Sequence, residues 1–147
     1  LSRKICFYLS KETEIRLCYL FKKNNTPIGY INIDLDESHD LGYGLKKEYW
    51  HQGIVSEAVK AIIQQAQKEG LNYLTATHDI KNIHSGNVMK KVGMHYCYSY
   101  KEHWMPKNIP VIFRMYQINL DGKNGFIKNI GINMNILLKK TYKGQVI

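Results

Sequence analysis

The chain has 147 residues, of which 44% are hydrophobic and 22% charged, and its formal net charge is +9. This length fits one domain that buries a core of its own, and the composition excludes a wholly disordered or fibrous protein. No apolar run approaches the ~18 residues that span a membrane, so no membrane partner is expected. The chain begins at Leu1 and not at an initiator Met, which predicts that an N-terminal piece is missing, and no apolar signal segment lies near Leu1.

Residues 1–49 have the pattern of strands. Apolar and alternating runs at 16–21 and 27–35 flank a polar Lys-Asn segment, which predicts a hairpin, and a third short strand is predicted at about 39–45. The period then changes. Five apolar residues recur at helical spacing and form one stripe that ends near Gly70: Val55, Val59, Ile62, Ile63 and Ala66.

The second half continues with a strand at 71–78, a helix at 83–92, and two strands at 94–101 and 111–120. This order predicts a mixed α/β domain over residues 1–121. Residues 122–147 form a basic extension that holds five of the 21 basic residues and none of the 12 acidic ones. Its alternating stretch fits a strand, and its Gly/Asn content fits a loose tail equally well, so both interpretations stay open.

Charge and cysteine content set the expected partners and compartment. The excess of positive charge favours an anionic partner, either nucleic acid or a phosphorylated cofactor, and does not choose between them. The three cysteines, Cys6, Cys18 and Cys97, form no CxxC pair. We therefore expect free thiols and a cytoplasmic protein, with no disulfide framework and no zinc site.

The most informative segment runs from Leu41 to Ala58, where a strand enters a short turn and a helix opens at Gly53. The first N–H groups of a helix lack internal partners, and a glycine lets a phosphate approach them closely. Gly53 as a simple turn residue explains the segment as well. Neither a complete GxGxxG fingerprint nor a GxxxxGK[ST] sequence is present, which argues against hydride transfer and nucleotide hydrolysis.

A second segment, from Asn82 to Met94, contains Asn82 and Ser85, either of which can cap a helix. Together the two segments resemble the GCN5-related N-acetyltransferase (GNAT) family, most closely its ribosomal-protein alanine acetyltransferase-like branch. That branch shows Tyr-Trp-Gly-x-Gly-(Tyr/Ile)-Ala-(Thr/Ser)-Glu-Ala, which reads YWHQGIVSEA from Tyr49 here. It also shows Asn-x-x-Ser-x-x-Val-x-x-Lys-x-Gly-(Phe/Met), which is matched from Asn82 onward. The resemblance covers about residues 5–120.

The resemblance implies a single GNAT-like domain with a mixed, mostly antiparallel central sheet that splays apart at the cofactor site and is flanked by helices. It implies acetyl-CoA as cosubstrate and no metal. The strands at 39–45 and 71–78 would hold the pantetheine arm, and the loop before the long helix would hold the diphosphate. The implied cofactor-binding residues are Tyr43, Leu45, Gln52, Gly53, Ile54, Val55, Ser56 and Asn82.

The implied reaction is acetyl transfer to a primary amine by direct attack in a ternary complex. The amine needs a base, for which Glu102 ranks first, with Asp40 and the histidine next to each carboxylate, His103 and His39, as the other candidates. Met89 stands where many relatives carry a tyrosine acid, so Ser85 or a water molecule would protonate the leaving thiolate, or acid catalysis is weak. A backbone N–H near Tyr43 or Gly44 would stabilise the oxyanion.

The acceptor is expected to be a small-molecule or peptide amine, and the chain is compatible with a homodimer. The alternative is a noncatalytic module of the same fold that binds acyl-CoA or nucleic acid. The net charge of +9 favours nucleic acid, but the chain has no recognisable nucleic-acid-binding motif. Nucleic acid is therefore not the expected partner.

Overall fold

The computed structural model describes residues 5–9, 16–23, 26–34, 36–104 and 106–125. Within these ranges the chain forms, in order, β1 Ile5–Leu9, β2 Arg16–Lys23, β3 Thr26–Asp34, β4 Leu41–Leu45, a 3-10 turn Lys47–Tyr49, α1 Ile54–Lys68, β5 Tyr73–Asp79, α2 Ile83–Lys91, β6 His95–Trp104 and β7 Ile109–Asn119. The domain is therefore mixed α/β, as the sequence predicts.

Two antiparallel sheets lie side by side. The first has the strand order β1-β2-β3-β4 and the second the order β5-β7-β6. They meet at one parallel bridge between Asp40 and Thr75, where the Thr75 N–H donates to the His39 carbonyl at 3.2 Å. Among the described residues no further bridge joins β4 to β5, so the two strands part beyond this point. This is the splay that the family resemblance implies.

Both helices pack on the same face of the two sheets. Alternation along the strands directs Ile31, Leu41 and Leu74 to that face, where they are fully or almost fully buried. Val59 of α1 and Met89 of α2 belong to the same core. Each such side chain stabilises the fold by roughly 1.5–3 kcal/mol through its removal from water. The core thereby fixes the first turns of α1 and α2 beside the splayed strands.

The predicted helices and strands from residue 16 to 120 are confirmed, and their ends differ from the prediction by at most three residues. The largest difference is in the last hairpin. β6 continues to Trp104 because it stays paired with β7, as the Trp104–Ile109 pair shows. The predicted alternatives for the basic extension concern residues that lie outside the described ranges beyond Gly125. Within the described residues, no helix combines the length and apolarity that a membrane crossing requires.

Candidate functional site: the cleft between the splayed strands

The start of α1 is open. Gly53 is the N-cap residue, has φ +72°, and provides no side-chain cap. The first hydrogen bond of the helix runs from the Glu57 N–H to the Gly53 carbonyl at 3.0 Å. The N–H groups of Ile54, Val55 and Ser56 find no acceptor among the described residues. Three adjacent donors at the positive end of a helix dipole form a suitable binding place for a phosphate.

The turn before α1 is held by its own side chains. The Trp50 indole N–H donates to the Leu45 carbonyl at the end of β4, at 2.8 Å. The Gln52 side-chain amide donates to the Glu48 carbonyl at 3.2 Å. These bonds fix the path of the chain between β4 and α1, so the open N–H groups keep a defined orientation relative to the strand.

The edges of β4 and β5 that face each other carry backbone groups without strand partners. The Asp34 N–H donates to the Asp40 carbonyl and the Lys46 N–H to the Ile28 carbonyl. Antiparallel hydrogen bonding alternates from residue to residue. In the register of β3 with β4, the backbone N–H and C=O of Gly44 therefore point toward β3, and those of Tyr43 point toward β5. The same alternation applies between β5 and β7, where the Leu120 N–H donates to the Asn72 carbonyl. In this register the backbone N–H and C=O of Thr77 point away from β7 and toward β4.

The first turn of α2 forms the opposite wall. The Asn82 side-chain oxygen accepts from the Ser85 N–H at 3.2 Å, so α2, unlike α1, is capped by a side chain. The Tyr43 hydroxyl donates to the Ser85 carbonyl at 2.9 Å and so connects β4 with α2 across the splay. Burial raises the pKa of the Tyr43 phenol. The helix lies close to β5 because Gly86 has no side chain: a Cβ there would stand 2.7 Å from Nε2 of the buried His78.

Together these elements enclose a cleft of about 480 Å³. All eight predicted cofactor-binding residues and Ser85 line it. The complete lining is Tyr43, Gly44, Leu45, Tyr49, Trp50, His51, Gln52, Gly53, Ile54, Val55, Ser56, Asn82, His84, Ser85, Asn87, Val88 and Lys91. The cleft therefore joins an anion-binding helix start to the end of β4 and the first turns of α2.

The two predicted carboxylates lie outside this lining. Asp40 sits at the bridge where the strands part, with its carboxylate 3.4 Å from the Thr75 hydroxyl. Burial, and secondly the charge of Asp34, raises the pKa of Asp40 to about 7. Glu102 is exposed on β6. Burial first, and then the charges of Glu102 and Asp40 among others, raise the pKa of the Tyr100 phenol. Both carboxylates are thus within electrostatic range of one buried hydroxyl.

The cleft and the sheets around it have counterparts in a known protein family. Residues 3–95 match the family model described as "Acetyltransferase (GNAT) domain". This match spans more than half of the chain. The chain belongs to the GNAT acetyltransferase family.

Single proteins similar to this chain either have low sequence identity to it or match only part of its length. The Bacillus subtilis (strain 168) protein described as "Uncharacterized N-acetyltransferase YnaD" is 37% identical over 60 residues, which are 40% of this chain and 35% of YnaD. RimL, a ribosomal L7/L12 alpha-N-protein acetyltransferase solved with coenzyme A, superposes with a TM-score of 0.66 at 18% identity, over 74% of this chain and 64% of RimL. The ribosomal-protein-S5-alanine acetyltransferase from Vibrio fischeri superposes with a TM-score of 0.68 at 19% identity, over 75% of this chain and 64% of the Vibrio fischeri enzyme.

The chain thus spans about a third of YnaD and less than two thirds of these two structures. At this identity the two structures show the GNAT fold. Both are described as ribosomal-protein acetyltransferases.

The GNAT motifs did not point to every residue of the cleft. His51, His84, Tyr49 and Lys91 line it without having been predicted as site residues, although Tyr49 and Lys91 belong to the matched motifs. His51 stands at the motif position where the branch pattern has glycine, and this departure was the available signal. Met89 is only 1% exposed and belongs to the core, so it lies behind the cleft wall.

Two further groups bear on the chemistry. Cys97 is half-buried on β6 and lies outside the cleft lining, and burial raises the pKa of its thiol to about 11. The thiol is therefore protonated at neutral pH and a poor nucleophile. Among the described residues, no group of three or more His, Cys, Asp or Glu side chains has the arrangement to hold a metal ion.

Proposed function

We propose that this protein transfers an acetyl group from acetyl-CoA to a primary amine by direct attack in a ternary complex. The observation that carries the proposal is the open start of α1, where three N–H groups face a cleft bounded by β4 and the first turns of α2. Membership in the GNAT family supports it independently. Acetyl-CoA supplies an activated acetyl group on a sulfur leaving group.

The chain's own atoms fit such a cosubstrate in two places. The N–H groups of Ile54, Val55 and Ser56 would donate hydrogen bonds to a diphosphate without the help of a charged side chain. The backbone groups of Tyr43 and Thr77 face each other across the splay and would bind an extended, amide-bearing arm as a strand edge binds a peptide. The Asn82 side-chain oxygen already accepts the capping hydrogen bond from Ser85, so Asn82 would donate to the arm through its side-chain amide hydrogens.

Two residues compete for the role of base. A general base works best when its pKa lies near the working pH, and the pKa of Asp40 is raised to about 7. Asp40 also sits where β4 and β5 part, beside the strand that carries Tyr43. These two properties make Asp40 a better base in our proposal than the exposed Glu102, which the sequence ranks first. Glu102 is the alternative that mutation must test.

The remaining steps need a donor for the oxyanion and a proton for the thiolate. The Tyr43 N–H is directed into the splay and would serve as the oxyanion donor, an interaction worth about 3–4 kcal/mol in other enzymes. The Gly44 N–H is directed toward β3 by the same register and is the poorer choice. The Ser85 hydroxyl lies in the cleft wall and would protonate the departing sulfur, since Met89 carries no acidic proton.

The acceptor follows less directly from the chain. RimL and the Vibrio fischeri enzyme are described as ribosomal-protein acetyltransferases, so we would test peptides with a free N-terminal amine first in a substrate panel. Small amines such as polyamines and amino sugars present the same nucleophile and complete the panel. A homodimer remains a prediction, to be checked by light scattering.

The test is the release of free thiol from acetyl-CoA in the presence of each amine. Amine-dependent release that follows the amine concentration supports an enzyme. Binding of acetyl-CoA in calorimetry without release by any amine indicates the noncatalytic acyl-CoA module instead. Salt-sensitive DNA binding by a chain that does not bind acetyl-CoA would contradict the proposal and favour the nucleic-acid alternative.

A further inference from the structure

His51 has an unusual backbone conformation at the edge of the cleft. Its φ is +60°, in the left-handed region that side-chain-bearing residues avoid. The residue lies in the turn directly before Gly53 and lines the cleft. The branch motif has glycine at this position, which would adopt the same conformation without strain. A strained residue at a binding site is an observation from which a functional hypothesis can be drawn.

The His51 side chain has a partner across the cleft. Its ring lies 5.1 Å from the ring of His84, centroid to centroid, with an interplanar angle of 75°. His84 belongs to the first turn of α2, so the two imidazoles connect the start of α1 with the start of α2. Both side chains are exposed and line the cleft. The backbone strain at His51 therefore brings two imidazoles together beside the open N–H groups.

The side chains that line the cleft include basic residues that suit an anionic ligand. Its lining contains His51, His84 and Lys91 and, within the described part of the chain, no Asp or Glu. An imidazole donates an N–H hydrogen bond in its neutral form as well as in its charged form. Hydrogen bonds from such side chains to phosphate are among the stronger ones in proteins. The lining thus suits a phosphorylated ligand through its side chains as well as through its backbone.

We propose that His51 and His84 form a pair that donates hydrogen bonds to a phosphate group of the cosubstrate. The inference rests on the proposed function, because it takes coenzyme A as the occupant of the cleft. Binding would then have two components, the backbone donors at residues 54–56 and this histidine pair. Coenzyme A carries a diphosphate and a 3′-phosphate, and both offer the same acceptor chemistry to an imidazole.

The experiment is calorimetric titration of the full chain with coenzyme A and with 3′-dephospho-coenzyme A, in a chelating buffer that removes any metal shared by the rings. His51→Gly and His84→Ala should each weaken coenzyme A binding by about tenfold, the size expected for a lost phosphate hydrogen bond. His95→Ala, at an exposed position outside the cleft lining, is the matched control and should bind like the wild type.

Two further readouts separate phosphate binding from a structural role. His51→Gly relieves the left-handed strain, so its melting temperature should equal or exceed that of the wild type while its affinity falls. His84→Phe keeps an aromatic ring against His51 without an N–H donor, and it should bind as weakly as His84→Ala. Wild-type affinity in His84→Phe would show that only ring packing matters and would overturn the inference.

The ligand comparison identifies the phosphate. If the variants lose affinity for coenzyme A but match the wild type with the dephospho form, the pair binds the 3′-phosphate; an equal loss with both ligands assigns it to the diphosphate. Variants that bind coenzyme A within twofold of a wild type that itself binds would overturn this inference and leave the proposed function standing. A wild type that binds neither ligand would overturn both.

Discussion

Replacing Gly53 by glutamate tests whether the open start of α1 binds phosphate. A Cβ at Gly53 meets no atom within 4 Å, so the new side chain has room. The cost to folding is the left-handed backbone at φ +72°, about 1 kcal/mol, or roughly 4 °C in melting temperature for a domain of this size. The protein should therefore stay folded.

The effect on binding should be much larger. A carboxylate about 5 Å from a phosphate charge is repelled by roughly 1–3 kcal/mol at an effective dielectric constant of 20–80. The carboxylate would also occupy the N–H groups of residues 54–56 itself, since anions are favoured at a helix start. We expect coenzyme A affinity to fall by at least about a hundredfold, measured by calorimetry.

Gly70→Glu is the matched control. Gly70 has φ +83°, its Cβ would also meet no atom within 4 Å, and it lies after the far end of α1. The same charge and the same backbone strain there should leave coenzyme A affinity within twofold of the wild type. Equal affinities in Gly53→Glu and the wild type, with both folded, would refute the placement of the phosphate at this helix start.

Three further predictions concern the walls of the cleft. Asn82→Asp should keep the α2 cap and the melting temperature but weaken coenzyme A binding, whereas Asn82→Ala should also lose about 1 kcal/mol of stability; equal affinity in all three proteins would limit Asn82 to capping. Ser85→Ala should lower kcat by about tenfold or more in the thiol-release assay while changing the Kd less than threefold, and parallel losses would remove its assignment as proton donor. Asp40→Asn should abolish the acid limb of the kcat profile near pH 7. Because the folded-state pKa of Asp40 is raised, its stabilising contribution is full below about pH 4 and is lost as the pH rises through 7. Asp40→Asn should therefore melt at a higher temperature than the wild type at pH 8 by roughly 5 °C, and a difference that does not change with pH would contradict the raised pKa.

The sequence predicted the order of strands and helices because the period of apolar residues differs between them. Ile31 and Leu74 show a period of two, and the stripe from Val55 to Ala66 shows the helical period. The lining of the cleft was also largely predictable, since the motif residues around Gly53 and Asn82 are adjacent in the chain to the turns that form it. The cofactor and catalytic roles of these residues remain predictions.

What the sequence could not supply was the environment of single side chains. Asp40 and Glu102 are equivalent carboxylates in the sequence, and only the fold buries Asp40 at the bridge and leaves Glu102 exposed. The contact between His51 and His84 joins residues 33 positions apart in the chain and depends on how α1 and α2 pack. Such differences arise from tertiary packing, which local spacing does not encode.

The single bridge between Asp40 and Thr75 has a mechanical consequence. Among the described residues this bridge is the only backbone pairing between the two sheets, so the seam is held by fewer hydrogen bonds than either sheet. A ligand that lies along this seam would connect the two sheets and would slow amide hydrogen exchange along β4 and β5 more than elsewhere. We therefore expect protection of β4 and β5 against hydrogen exchange to increase with occupancy of the cleft.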